Sequence, residues 1–320
     1  MATTDKATAK ALADARAEAV QLAKKRQVEL KARAKAVAAE AADLALAAAD
    51  AEQPFIASPA LIAAAGGAGT KGWIIAEGDS WFDYPGADIL SLIVRDGYEV
   101  ESVAHAGDRV EMMAFGGDQL NKFSAAVEKV IRNGHIPRAI LLSGGGNDIA
   151  GNEFGMLLNH VNATTPGLND SIVRGVIDER CREAYLRIIM KITTLCQQKL
   201  GRKVKILVHG YAYAVPDGRG FLGGWWFLPG PWLEPGFRDK GYAMLSVRQP
   251  LMNKLIDRFN AMVKGVAALP EFEHHVRYVD LRNVVPQQPN HKQWWANELH
   301  PTDKGFKAVA SRFLDVIQGP

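Results

Sequence analysis

The chain predicts a three-layer α/β sandwich: a five-stranded parallel sheet with helices on both faces. Three observations carry that expectation. Five short, β-branched-rich apolar runs recur along residues 71–320. Helical stretches of 11 to 29 residues separate or follow them. With 48% hydrophobic and 23% charged residues over 320 positions, the composition is that of a globular chain able to bury a large core. Strand–helix alternation argues a parallel sheet covered on both sides. Right-handed crossovers then fix the layering.

The elements follow in order. Residues 72–78, Gly72-Trp73-Ile74-Ile75-Ala76-Glu77-Gly78, predict the first strand, with helix over 86–96. The second strand spans 98–104, with helix over 117–132. Ala139-Ile140-Leu141-Leu142-Ser143 is the third, with helix over 172–200. Val204-Lys205-Ile206-Leu207-Val208 is the fourth, with helix over 248–268. Residues 276–281 are the fifth, and helix 302–317 closes the chain with Thr302 as its N-cap.

Residues 1–52 differ from the rest. They hold 21 alanines and no glycine, proline or aromatic residue, which favours helix. A continuous helix there would run about 70 Å. Leu30, Val37 and Leu44 are spaced by seven, a hint of a coiled-coil seam that would make a homo-oligomer, but the spacing continues only to Ala23 and Arg16. The other readings are a solvated helix leaning on the main domain and a helix on a lipid or granule surface. Residues 53–70, rich in alanine and glycine, read as a linker to a domain over 71–320. No secretory signal and no membrane span is visible, so a cytoplasmic location is expected. The net charge of +3 is too small to imply nucleic acid. Cys181 and Cys196 on one helix would stand about 22 Å apart, too far to bridge. No metal site and no cofactor is expected, since His274-His275 lack partners at ligand spacing.

In parallel α/β folds ligands bind at the carboxyl ends of the strands. The first strand there runs into Gly78-Asp79-Ser80, a turn that exposes a hydroxyl. The second ends in Ala104-His105-Ala106-Gly107-Asp108, where a glycine lets an N–H approach a ligand. The third ends in Gly144-Gly145-Gly146-Asn147-Asp148, which either cradles a phosphate or brings an amide donor into the pocket. Asp148 reads as fixing that loop. After the fifth strand comes Trp294-Trp295-Ala296-Asn297-Glu298-Leu299-His300-Pro301, with a base ahead of the last helix.

Each signal alone is ordinary turn chemistry. As an ordered set, Gly78-Asp79-Ser80, Gly107, Gly145-Gly146-Asn147-Asp148 and His300-Pro301 resemble the four blocks of the SGNH, or GDSL, hydrolase superfamily of esterases and lipases. The resemblance covers about residues 72–317. It implies a flavodoxin-like sheet and a serine-ester mechanism. Ser80 would be the nucleophile and His300 the base that takes its proton. The N–H of Ser80, the N–H of Gly107 and the side-chain amide of Asn147 would form the oxyanion hole. The family carries an aspartate three residues before the histidine, but this chain carries Asn297. An amide accepts a hydrogen bond without supplying charge, and turned the wrong way it selects the wrong tautomer. Glu298 is a possible substitute orienter.

His209 lies at the same sheet edge after the fourth strand and is a candidate substrate contact. Trp225, Trp226 and Trp232 sit in a long segment, 211–242, that reads as an aromatic wall or lid, and Trp295 could face the same cleft. The expectation is an esterase for a short-chain, aryl or acylated-carbohydrate ester. The alternatives are a catalytically weak relative serving ligand binding or assembly, and a phosphate binder using Gly144-Gly145-Gly146.

Overall fold

A computed structural model describes residues 69–151, 153–221 and 229–319. The expected N-terminal helix, its coiled-coil seam, nearly all of the linker, and Trp225 and Trp226 lie outside the described residues.

The chain enters on strand β1 (Trp73–Glu77), whose Ile74, Ile75 and Ala76 are buried without alternation. An unbroken apolar run is what a strand covered on both faces requires. Helix α1 (Ile89–Arg95) follows, opened by Asp88 and Ser91 in a reciprocal capping box. Then come β2 (Glu99–Ser102), α2 (Val110–Phe115), α3 (Gln119–Arg132), β3 (Pro137–Leu142) and the single turn α4 (Gly146–Ile149). The insertion after the third loop folds into a two-stranded ribbon, β4 (Leu158–Asn159) against β5 (Gly167–Leu168). Helix α5 (Asp170–Val173) runs through a π-helical stretch, Arg174–Cys181, into α6 (Arg182–Leu200). The remaining elements are β6 (Ile206–His209), α7 (Glu234–Asp239), α8 (Leu245–Ala267), β7 (Val276–Val279) and α9 (Asp303–Gln318).

The main sheet has five strands in the order β2-β1-β3-β6-β7, all parallel. This is the flavodoxin-like order, and its direction reverses between β1 and β3. Right-handed crossovers put α1 on one face and the next connections on the other. The packing agrees: α9 returns to lie against α1, while α2, α3 and α8 pack on α6. Helix α6 buries Tyr185, Ile188, Ile189, Ile192 and Cys196, a stripe at helical spacing. Cys181 and Cys196 are both free and buried, as their separation along the helix requires. Thr302 caps α9 through Gly305 N–H at 3.4 Å, at the position the sequence marks. Among the described residues no helix is long and apolar enough to cross a membrane.

Candidate active site

The crevice opens where the strand order reverses, between the carboxyl ends of β1 and β3. Gly78 follows β1 under a steric demand: a Cβ there would lie 2.7 Å from the Phe82 ring and 2.8 Å from Ser143 Cβ. The turn that follows is pinned by Asp79, whose Oδ1 accepts from Trp81 N–H at 3.1 Å and Ser143 Oγ–H at 2.9 Å. Its Oδ2 accepts a short bond from the Tyr211 hydroxyl. Complete burial pushes the Asp79 carboxyl above the usual range, against the pull of these donors. Its place is structural, and it holds Ser80 at the tip of the turn.

Ser80 Oγ–H donates to His300 Nε2 at 2.7 Å. The histidine arrives on a loop closed by pairing of Trp295 with Pro301 and by Ala296 N–H donating to His300 O at 2.9 Å. Trp81 Nε1–H ties this loop to the serine turn through Leu299 O at 3.1 Å. Burial lowers the His300 pKa to about 3, so the ring is neutral at ordinary pH.

The tautomer follows from the backbone. Asn297 Oδ1 accepts from Leu299 N–H at 2.9 Å and from His300 N–H at 2.8 Å. Two amide donors require an oxygen opposite them, which fixes the orientation of the side-chain amide. The same oxygen lies 3.0 Å from His300 Nδ1. Nδ1 therefore carries the proton, and Nε2 is left to accept from Ser80. The misturned amide that the Asn297 substitution invites does not occur. Asn297 Nδ2 donates outward to the Tyr84 hydroxyl at 3.2 Å. Tyr84 also lays its ring on the imidazole, with centroids 4.4 Å apart and planes 24° off parallel.

Glu298 is turned away from His300. Its carboxylate accepts from the backbone N–H groups of Gly218, Trp232, Leu233 and Glu234 at 2.7–3.0 Å. It holds the wall segment instead of orienting the base. Burial raises its pKa to about 6.

On the opposite side stand the amide donors. Asn147 Nδ2 gives one N–H to Asp108 O at 3.0 Å, which leaves its second N–H for the crevice. The turn carrying Gly107 (φ +92°) is tied down by His105 N–H to Gly78 O at 3.0 Å and Ala106 N–H to Asp83 Oδ2 at 2.9 Å. Among the described residues the N–H groups of Ser80 and Gly107 have no protein acceptor. Asp148 accepts from Val110 N–H at 2.8 Å and Glu111 N–H at 3.2 Å, which binds the loop to the start of α2.

The glycine run is not a phosphate cradle. A Cβ on Gly144 would meet Val110 at 3.0 Å, one on Gly145 the Phe259 ring at 2.4 Å, and one on Gly146 the Tyr211 ring at 3.0 Å. These glycines allow close packing, and Gly146 N–H, which a phosphate would need, is given to the Tyr211 hydroxyl at 3.0 Å. His209 also needs correction. It is fully buried among the rings of Trp81, Phe82, Tyr211 and Phe313, and its Nδ1 bonds Gly210 O at 2.7 Å. It does not line the cleft, and burial lowers its pKa to about 4. Trp295 is fully buried at the floor of the cleft. Trp232 is half-buried and meets the His300 ring at 79° with centroids 5.8 Å apart. Ile149, Ala150, Leu233, Met252 and Ile256 make the rest of the cleft mainly apolar. Among the described residues no group of histidine, cysteine and carboxylate side chains could hold a metal. Tyr84 has no signal in the sequence: a tyrosine four residues past a serine belongs to no pattern.

A hydroxyl, an imidazole and an amide in series at the switch point of a parallel sheet are the constellation of a serine hydrolase. The chain belongs to the GDSL-like lipase/acylhydrolase family, whose sequence profile matches residues 62–308. No curated protein matches the sequence significantly. Solved structures with a similar fold include the acetylxylan esterase Axe2 of Geobacillus stearothermophilus, at 15% identity and TM-score 0.44, covering 79% of this chain and 96% of that one. The lipase Lip_vut3 from a goat rumen metagenome matches at 16% identity and TM-score 0.45, covering 76% and 95%. A putative GDSL-like lipase of Parabacteroides merdae matches at 13% identity and TM-score 0.42, covering 78% and 97%.

Proposed function

We propose that the protein hydrolyses a carboxylic ester through an acyl-enzyme formed on Ser80. Its substrate class is a short-chain, aryl or acylated-carbohydrate ester. The observation that carries this reading is the series Ser80 Oγ, His300 Nε2, His300 Nδ1 and Asn297 Oδ1, with links of 2.7 and 3.0 Å. Ser80 Oγ attacks the ester carbonyl as its proton passes to Nε2. The carbonyl oxygen takes the negative charge. The Ser80 and Gly107 N–H groups and the second N–H of Asn147 receive it. One such donor contributes about 2.7–4 kcal/mol in the transition state. The alcohol leaves with the proton from Nε2. Water then attacks the acyl group, gives its proton to the same nitrogen, and releases Ser80.

The mainly apolar lining supports an acyl or aryl group lying against Ile149, Leu233 and Ile256, with Trp232 beside the base. The test is labelling with a fluorophosphonate probe, together with turnover on an ester panel. Ser80→Ala should lose both while keeping its far-ultraviolet spectrum and melting temperature. Undiminished turnover in that variant would exclude Ser80 as nucleophile. Probe labelling without turnover on any ester would favour the weakly catalytic, ligand-binding alternative.

A further inference from the structure

His300 must carry a positive charge while Ser80 attacks, yet the group behind it is a neutral amide. Nothing in Asn297 supplies the electrostatic half of what a carboxylate supplies. The imidazole is also deeply buried, which makes the charged form costly. The residue in contact with both partners is Tyr84. Its hydroxyl accepts from Asn297 Nδ2 at 3.2 Å, and its ring face covers the imidazole at 4.4 Å between centroids. The ring is itself held in place. Phe306 of α9 lies against it at 5.6 Å and Phe221 meets it edge-on at 6.0 Å. The backbone of Tyr84 is anchored to Asp88, which caps α1, through its N–H at 3.4 Å.

We propose that Tyr84 is a positioning residue that divides the missing carboxylate's work with Asn297: its hydroxyl holds the NH₂ end of the amide whose oxygen the backbone already engages, and its π face stabilises the imidazolium. The inference rests on the Ser80–His300 reading above. As the bond from Oγ to the carbonyl carbon forms, the serine proton moves to Nε2. Nδ1–H stays on Asn297 Oδ1. The charge created is delocalised over the buried ring that faces Tyr84. A cation stacked on an aromatic face is stabilised through the ring quadrupole, and more so when desolvated. The neutral imidazole gains far less from the same contact, so the stack acts on the transition state and not on substrate binding.

The experiment is a double-mutant cycle between positions 84 and 297 in the full chain, with p-nitrophenyl acetate as substrate. Tyr84→Phe keeps the stack and loses the acceptor, so kcat should fall about 3-fold to 10-fold. Tyr84→Leu loses both and should lower kcat about 30-fold to 100-fold, with KM changed less than about 2-fold. In the Asn297→Asp background a carboxylate supplies the charge, so the same Tyr84→Leu change should cost no more than about 3-fold. A purely structural tyrosine would give the same factor in both backgrounds, or raise KM at constant kcat. Either result overturns the proposal. If Tyr84→Leu does not fold, Tyr84→Met, which also lacks the π face and the hydroxyl, takes its place in both backgrounds. Ser80→Ala belongs in the panel. Turnover surviving there would overturn the site reading and this proposal together, whereas equal factors beside an inactive Ser80→Ala overturn the Tyr84 proposal alone.

Discussion

Asn297 accepts the backbone N–H of His300 at 2.8 Å with the same oxygen that meets His300 Nδ1 at 3.0 Å. One atom thus positions the loop and selects the tautomer. An amide does both as well as a carboxylate does. What it leaves out is charge.

Asn297→Asp should therefore raise kcat, and by a modest factor. In a serine protease the opposite change lowers kcat about 10⁴-fold, in large part because the amide imposes the wrong tautomer. Here the tautomer is already right, so only the charge is gained, and about a 10-fold rise is expected. The carboxylate also favours imidazolium, so the His300 pKa should climb from about 3 and carry the acid limb of kcat/KM upward with it. A pH–rate profile of both proteins checks the sign. An unchanged profile would place the charge stabilisation wholly elsewhere.

Glu298→Gln tests a different contact. The carboxylate receives four backbone N–H groups from residues 218 and 232–234. A glutamine must turn its NH₂ toward some of those donors, which leaves buried N–H groups unpaired at about 1–3 kcal/mol each. The wall should loosen. KM should rise and the melting temperature fall, while kcat at saturation falls less. A fall in kcat alone would return Glu298 to the role of orienter.

Asn147→Ala removes the donor whose second N–H faces the crevice. Turnover should drop about 10²-fold to 10³-fold with KM little changed, because the developing oxyanion takes most of that bond. A raised KM at constant kcat would make Asn147 a ground-state contact.

Much of this was legible in the chain because the signals are local. Apolar runs mark four of the five strands, β2 (Glu99-Val100-Glu101-Ser102) being a part-exposed edge strand, and all four chemical blocks lie at their carboxyl ends. The relative orientation of side chains was not legible. His209 sits at the right edge in the sequence, but its ring turns into the aromatic layer of Phe82 and Phe313. Glu298 is adjacent to Asn297, and adjacent side chains on a tight loop point apart. The glycine run offers a phosphate cradle or a carrier for the Asn147 amide, and its close packing against Val110, Phe259 and Tyr211 has no local signal. Tyr84 depends on a contact across 216 positions that no local pattern encodes.

The last prediction concerns Glu77, the residue before the Gly78-Asp79-Ser80 turn. Its carboxyl is buried, accepts from Gly78 N–H at 2.9 Å and Gln119 Nε2–H at 3.3 Å, and leaves Oε2 without a partner among the described residues. Burial, with the Asp108 carboxylate nearby, raises its pKa from 4.5 to about 8. Between those values the folded protein binds a proton that the unfolded chain releases. The slope of stability with pH is then negative, so the contribution is full below pH 4.5 and is lost as pH rises through about 8. His209 acts in the opposite sense lower down. Its pKa of about 4 against an ordinary 6.5 means that the unfolded chain takes up the proton first, so stability falls as pH drops below 6.5. Urea titrations across this range should show a maximum between the two limbs. Glu77→Gln mimics the protonated carboxyl and cannot ionise, so it should match the wild type near pH 4.5 and become progressively more stable than it toward pH 8. Parallel curves for the two proteins from pH 5 to 9 would mean that Glu77 is ionised in the folded state, with water reaching Oε2.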